Sequence, residues 1–164
     1  MATMISFHVP ADQALLAAVG EVALRHEHLN YILRMTIKNL TGLRIDEAID
    51  ATSYDGTRQL RERIRKLAKQ RLGEGEPLLK LLAILERCRR VSDRRNEQIH
   101  SLWAKELDGE PMRTNSDNGW VPLSSTEDLL ALAKETEALT TELNSARLDG
   151  FIFEALKKRP WPKD

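Results

Sequence analysis

Three side chains within six residues could hold an oxyanion and move a proton: Arg95, Asn96 and His100, in the run Arg95-Asn96-Glu97-Gln98-Ile99-His100. An imidazole with an ordinary pKa near 6.5 gives or takes a proton around neutrality. A guanidinium stays charged and presents a planar fork that fits phosphate oxygens. On a helix, Asn96 and His100 lie one turn apart and project to the same side. Arg95 lies about 140° from His100 around the axis, five residues at roughly 100° each. A long Arg side chain closes part of that gap, and a second copy of the helix facing the first would close the rest.

Plainer roles stand beside these. Arg95 falls on an apolar stripe, four residues after Val91 and four before Ile99. A core-facing Arg needs a partner, and Glu27 or Glu21 would serve. His100 alone could be a cation near a helix C-terminus, where the dipole favours one. The run His26-Glu27-His28 spaces its histidines by two, whereas a helical metal pair wants three or four. The single cysteine, Cys88, excludes an intramolecular disulfide and a cysteine-based zinc cage and suits a core position. Neither a metal nor a cofactor is expected.

The elements that must position these residues read as helices. Asp12 can cap a first helix whose apolar face runs Leu15, Val19, Val22, His26, Leu29, Leu33, Thr36, Leu40, in steps of three and four. Gly42 is a stop signal. Residues 43–53 suggest a short connecting helix, followed by an Asp55-Gly56 turn with Thr57 as the next N-cap. Leu60, Ile64, Leu67, Ala68 and Leu72 form a second long helix. Its cationic face (Arg58, Arg61, Arg63, Arg65, Lys66, Lys69, Arg71) reads as solvated, or else as a phosphate-tracking surface. Gly73 to Pro77 breaks the chain. The third long helix carries Leu78, Leu81, Leu82, Leu85, Cys88 and Val91, with Ile99 and Leu102 extending the stripe. Asp108-Gly109, Pro111, Asn118-Gly119 and Pro122 mark a loop or small β-hairpin over 106–123. Trp103 is expected to pack beneath it, and Trp120 to do the same or to stack on a base. Ser124 and Glu127 make a capping box for a fourth helix with Leu129, Leu132, Ala133, Thr136, Leu139, Leu143 and Ala146, which Gly150 ends. Phe151, Ile152, Phe153 and Leu156 pack back as a short piece.

The expected fold is therefore all-α. It is an antiparallel four-helix bundle with a short connecting helix and a loop or small β-hairpin before the last long helix. Residues 1–10 form an N-terminal lead, 11–156 the helical domain and 157–164 a C-terminal tail.

A chain of 164 residues suits one domain that buries roughly 70% of the surface its unfolded form exposes. Charged residues make up 30% of it and aromatic residues 5%, a mixture for amphipathic helices. Twenty-five basic residues balance 25 acidic ones. Broad electrostatic capture of nucleic acid is thereby excluded, and any such contact must be local or made by an assembly. No apolar run approaches the roughly 20 residues that span a bilayer, and no basic segment followed by an apolar one opens the chain. No membrane partner is expected, and a cytoplasmic setting fits.

The Arg95-Asn96…His100 run resembles the signature of the HEPN superfamily: an Arg, a polar residue such as Asn, three further residues, then His. Its place late in a long helix, and the Ser101 and Trp103 that follow, are similar too. The resemblance spans about residues 11–148 in architecture. It implies a metal-independent endoribonuclease, acting as a homodimer whose two motifs meet across the interface. It implies that His100 handles the proton of the ribose 2′-hydroxyl or of the leaving oxygen, and that Arg95 holds the scissile phosphate. Asn96 would orient these groups or contact phosphate. An earlier helix would add a supporting residue, for which His26 and Glu27 are the candidates. The attacking group is the 2′-hydroxyl, so RNA is cut and DNA is not. A place in a toxin or defence system, with a cognate inhibitor or partner protein, also follows from the resemblance. The alternative is a non-catalytic HEPN-like module that binds a nucleotide, an RNA or a protein partner, since fold likeness does not establish activity.

Overall fold

A computed structural model describes residues 4–160. Among them are six helices and a small four-stranded sheet. The helices are α1 (Gln13–Thr41), α2 (Ile45–Ala51), α3 (Thr57–Leu72), α4 (Glu76–Ile99), α5 (Thr126–Leu148) and α6 (Phe151–Lys158). The strands are β1 (Ile5–Phe7), which precedes α1, then β2 (Trp103–Glu106), β3 (Pro111–Thr114) and β4 (Trp120–Pro122), between α4 and α5.

Local chemistry explains most boundaries. The Asp12 carboxylate accepts from the backbone N–H of Ala14 and Leu15 at 2.9 and 3.1 Å, which satisfies amides that the helix leaves open. At the other end of α1, Gly42 adopts φ 74° and its N–H bonds the Lys38 carbonyl at 2.9 Å. A Cβ there would strain the left-handed turn. Pro77 sits in the first turn of α4, where its missing N–H costs nothing.

The stripes read from the sequence become one core. Leu29, Leu33 and Leu40 of α1, Leu60 and Ile64 of α3, Leu81 and Leu85 of α4 and Leu139 and Leu143 of α5 are fully enclosed. Each such side chain contributes roughly 1.5–3 kcal/mol of burial free energy. α1 is the central element, packed on α5, α3 and α4, while α6 closes one end of the core with Ile152.

The all-α expectation is corrected by the sheet, and the loop or small β-hairpin by three consecutive strands that β1 joins to make a four-stranded antiparallel sheet in the order β1-β2-β3-β4. Residues 5–7, assigned to the lead, pair with β2 (Ile5 opposite Glu106, Phe7 opposite Ala104). β2 and β3 pair Trp103 with Arg113, and β3 and β4 pair Thr114 with Trp120. The β3–β4 turn forms around Asn115, whose side-chain oxygen accepts from the N–H of Asp117 and Gly119, with Asn118 at φ 58°. An Asn tolerates that left-handed conformation better than most residues do.

Several smaller expectations also shift. The N-cap of α3 is Gly56, not Thr57, and the N-cap of α5 is Ser125, not Ser124. Gly150 stands just past Asp149, the C-cap of α5, and its N–H bonds the Ser145 carbonyl at 2.9 Å, so it marks the end of α5 as expected; it is also the N-cap of α6, which begins at Phe151. Leu102 lies beyond the end of α4 and is exposed. Phe153 is half-exposed, with the Lys157 ammonium over its ring. α6 continues to Lys158, and residues 161–164 of the expected tail lie outside the described ones. No helix among the described residues is long and apolar enough to cross a membrane.

Candidate active site

The site is built at the C-terminal end of α4. The His100 N–H makes the last α-helical bond, to the Asn96 carbonyl at 2.9 Å, while its backbone relaxes to φ −101°, ψ 0°. Arg95 Nη1 then reaches His100 Nε2 at 2.9 Å and Asn96 Oδ1 at 3.1 Å. The gap that regular helix geometry left for a second copy is closed within one chain. A guanidinium only donates, so Nε2 must accept and a neutral ring carries its proton on Nδ1.

The sheet clamps this end of α4. Arg113 of β3 is almost fully buried, and its Nη1 donates to the carbonyls of Glu97 at 3.2 Å and Thr114 at 3.3 Å. A cation is favoured at a helix C-terminus, where the last carbonyls lack intrahelical donors. The Trp103 indole N–H donates to the Gln98 carbonyl at 3.1 Å. Leu102 and Thr114 exchange two bonds, Leu102 N–H to the Thr114 hydroxyl at 2.9 Å and Thr114 N–H to the Leu102 carbonyl at 3.0 Å.

Three neighbouring arginines of α4 are paired with carboxylates. Arg87 and Arg94 pair with Glu142 and Glu135 of α5, and Arg89 pairs with Glu86 and Asp93. Arg95 makes no ion pair with a described carboxylate. Glu21 pairs with Arg25, and Glu27 accepts from Asn30 at 3.2 Å, so the core ion pair considered from the sequence does not form.

Arg95, Asn96 and His100 line a cleft of about 440 Å³ between α1, α4 and the start of α3. That is within the usual size range of small-molecule sites. His26 and Glu27 line it as well. His26 is buried. Its Nε2 lies 3.0 Å from the Ser92 hydroxyl, which itself donates to the Cys88 carbonyl at 2.7 Å. The Ser92 proton is thus committed, so His26 Nε2 donates and its Nδ1 lone pair is left buried and unpartnered. Burial, reinforced by the positive fields of Arg95 and His100, lowers the His26 pKa from 6.5 to about 4. His26 is a neutral acceptor at neutral pH. Glu27 is exposed on the rim.

Sequence reasoning missed lining residues that Asn30, Ser92 and Arg61 exemplify. Asn30 accepts from the Thr57 hydroxyl at 2.8 Å and ties α1 to the start of α3. Ser92 holds His26. Arg61, read as part of a solvated face, is in fact buried. The signal was its spacing, since Arg61, Ile64, Ala68 and Leu72 step by three and four along one face. Among the described residues no group of three or more His, Cys, Asp or Glu is placed to hold a metal ion.

No family model, no curated protein and no solved structure matches this chain.

Proposed function

We propose that the chain is a HEPN-type endoribonuclease, a metal-independent homodimer acting in a cytoplasmic toxin or defence setting. Its long helices α1, α3, α4 and α5 are read as the four-helix bundle of that superfamily. The observation that carries the reading is the Arg95–His100 contact of 2.9 Å in an open cleft, with no carboxylate among the described residues paired to the guanidinium.

In this reading a phosphodiester enters the cleft and its charged oxygens take the Arg95 N–H groups. They are stronger acceptors than an imidazole nitrogen. His100 Nε2 is released from Arg95 and accepts the proton of the ribose 2′-hydroxyl. The 2′-oxygen bonds to phosphorus and the bond to the 5′-oxygen breaks. The leaving oxygen takes a proton from the second copy's His100 in its protonated form. The products are a 2′,3′-cyclic phosphate and a 5′-hydroxyl. Arg95 stabilises the charge that builds on the phosphorane, and Asn96 holds Arg95 in place.

Purified protein in excess chelator should cut single-stranded RNA to cyclic-phosphate ends, and His100→Ala and Arg95→Ala should not. Intact RNA with wild-type protein, or full cutting by His100→Ala, overturns the reading. A second reading, a nucleotide-binding module without cleavage, is favoured by the zero net charge and the modest cleft volume. Saturable binding of a mononucleotide by calorimetry, with no cutting of RNA, would select it.

A further inference from the structure

Arg61 is 8% exposed and makes no hydrogen bond or ion pair with a described residue. Burying a guanidinium without a counter-charge is expensive. Burial pushes its pKa below the ordinary value, against the weaker field of Asp93. Arg61 lies one turn from Thr57 on the same face of α3, and both line the cleft that holds Arg95 and His100. The N-terminus of α3 also lines it. Its N-cap is Gly56, which has no side chain to accept from the first-turn amides. Those N–H groups and the positive end of the helix dipole form an anion site in waiting.

The cleft opens into a second groove, of about 300 Å³, that shares Arg58, Arg61 and Asp93 with it and adds Arg65. Its carboxylates are already engaged, Glu62 by Arg58 at 3.0 Å and Asp93 by Arg89 at 2.7 Å. Arg61, where the two grooves meet, and Arg65, in the second, therefore have no carboxylate in direct contact among the described residues.

We propose that Arg61 and the first turn of α3 form a second phosphate site, which holds the backbone phosphate next to the one at Arg95 and His100. The ligand is then a strand of RNA running from the cleft into the arginine-lined groove, not a mononucleotide. This rests on reading the cleft as a phosphodiester site, and it deepens that reading by giving the strand a path and a local source of affinity in a chain of zero net charge.

The test uses binding alone. A fluorescent 2′-O-methyl RNA of about 10 nucleotides, which has no free 2′-hydroxyl to attack, is titrated by anisotropy at several salt concentrations. Wild type, Arg61→Gln, Arg61→Lys and Arg44→Gln, a change at an exposed arginine outside both grooves, are compared. Arg61→Gln should weaken binding about tenfold and lower the salt slope by roughly one phosphate contact. Arg61→Lys should recover part of the loss, and Arg44→Gln should bind nearly as wild type does. A single neutral methylphosphonate is then walked along the strand with wild-type protein, an arm that requires no variant to fold. One position should cost wild type about tenfold and cost Arg61→Gln nothing further. Equal binding by wild type and Arg61→Gln, or no position-specific loss, overturns the second site. If RNA is never cut but the Arg61-dependent position persists, the ribonuclease reading fails and the second site stands.

Discussion

Replacing His26 by Gln should flatten the acid sensitivity of the fold. In the native state burial and the charges of Arg95 and His100 hold the His26 pKa at about 4, against 6.5 for a free imidazole. As pH falls below about 6.5 the unfolded chain takes up a proton at His26 and the native chain does not. Because the unfolded state binds more protons in this window, native stability drops until the pH reaches about 4. Below that both forms are protonated and the loss levels off. Each pKa unit is worth about 1.4 kcal/mol, so the full shift corresponds to roughly 3 kcal/mol. Between about pH 7 and about pH 4.5 only part of that shift is titrated, which leaves about 2 kcal/mol. Gln places a non-titrating N–H where Nε2 meets Ser92, so the replacement preserves the local bond. Urea unfolding followed by circular dichroism gives the free energies at about pH 7 and about pH 4.5. Wild type should lose about 2 kcal/mol more than His26→Gln over that interval. Parallel losses in the two proteins would refute a buried, neutral His26.

Two further outcomes follow from the same geometry. Cys88 is fully buried and its pKa is pushed up to about 12 by burial. It should resist iodoacetamide in the native protein at about pH 8 and react once urea is added, whereas prompt native labelling would contradict its burial. Arg113→Met removes the donor that bridges β3 to the Glu97 carbonyl. It should cost about 1–3 kcal/mol and speed amide hydrogen exchange over 100–106 ahead of α1, and uniform exchange would show that the sheet does not hold this end of α4.

The helices were legible because their signals are local. Asp12, Gly42 and Pro77 act within a turn of themselves, and the stripe from Leu15 to Leu40 repeats often enough to fix one face. The sheet was not legible, because each strand has three or four residues and β1 pairs with a strand almost a hundred positions away. The Ile5-Ser6-Phe7 alternation is too short to declare a partner. Within the site, residue types and spacing pointed to Arg95, Asn96 and His100. The direct Arg95–His100 contact was out of reach because regular helix geometry was extended one residue too far: His100 is the C-cap of α4, not part of its regular turns. Arg61 was hidden by its company. Six cationic neighbours made it look solvated, although its spacing with Ile64 and Ala68 put it inward.

The most direct test of the central claim is a double-mutant cycle on RNA cleavage with Arg95→Ala, His100→Ala and the pair together, read as kcat/KM. If the guanidinium and imidazole act as one unit, each single change costs at least about a hundredfold and the double mutant is no slower than the worse single. Losses that simply multiply, or a His100→Ala protein as fast as wild type, would contradict it.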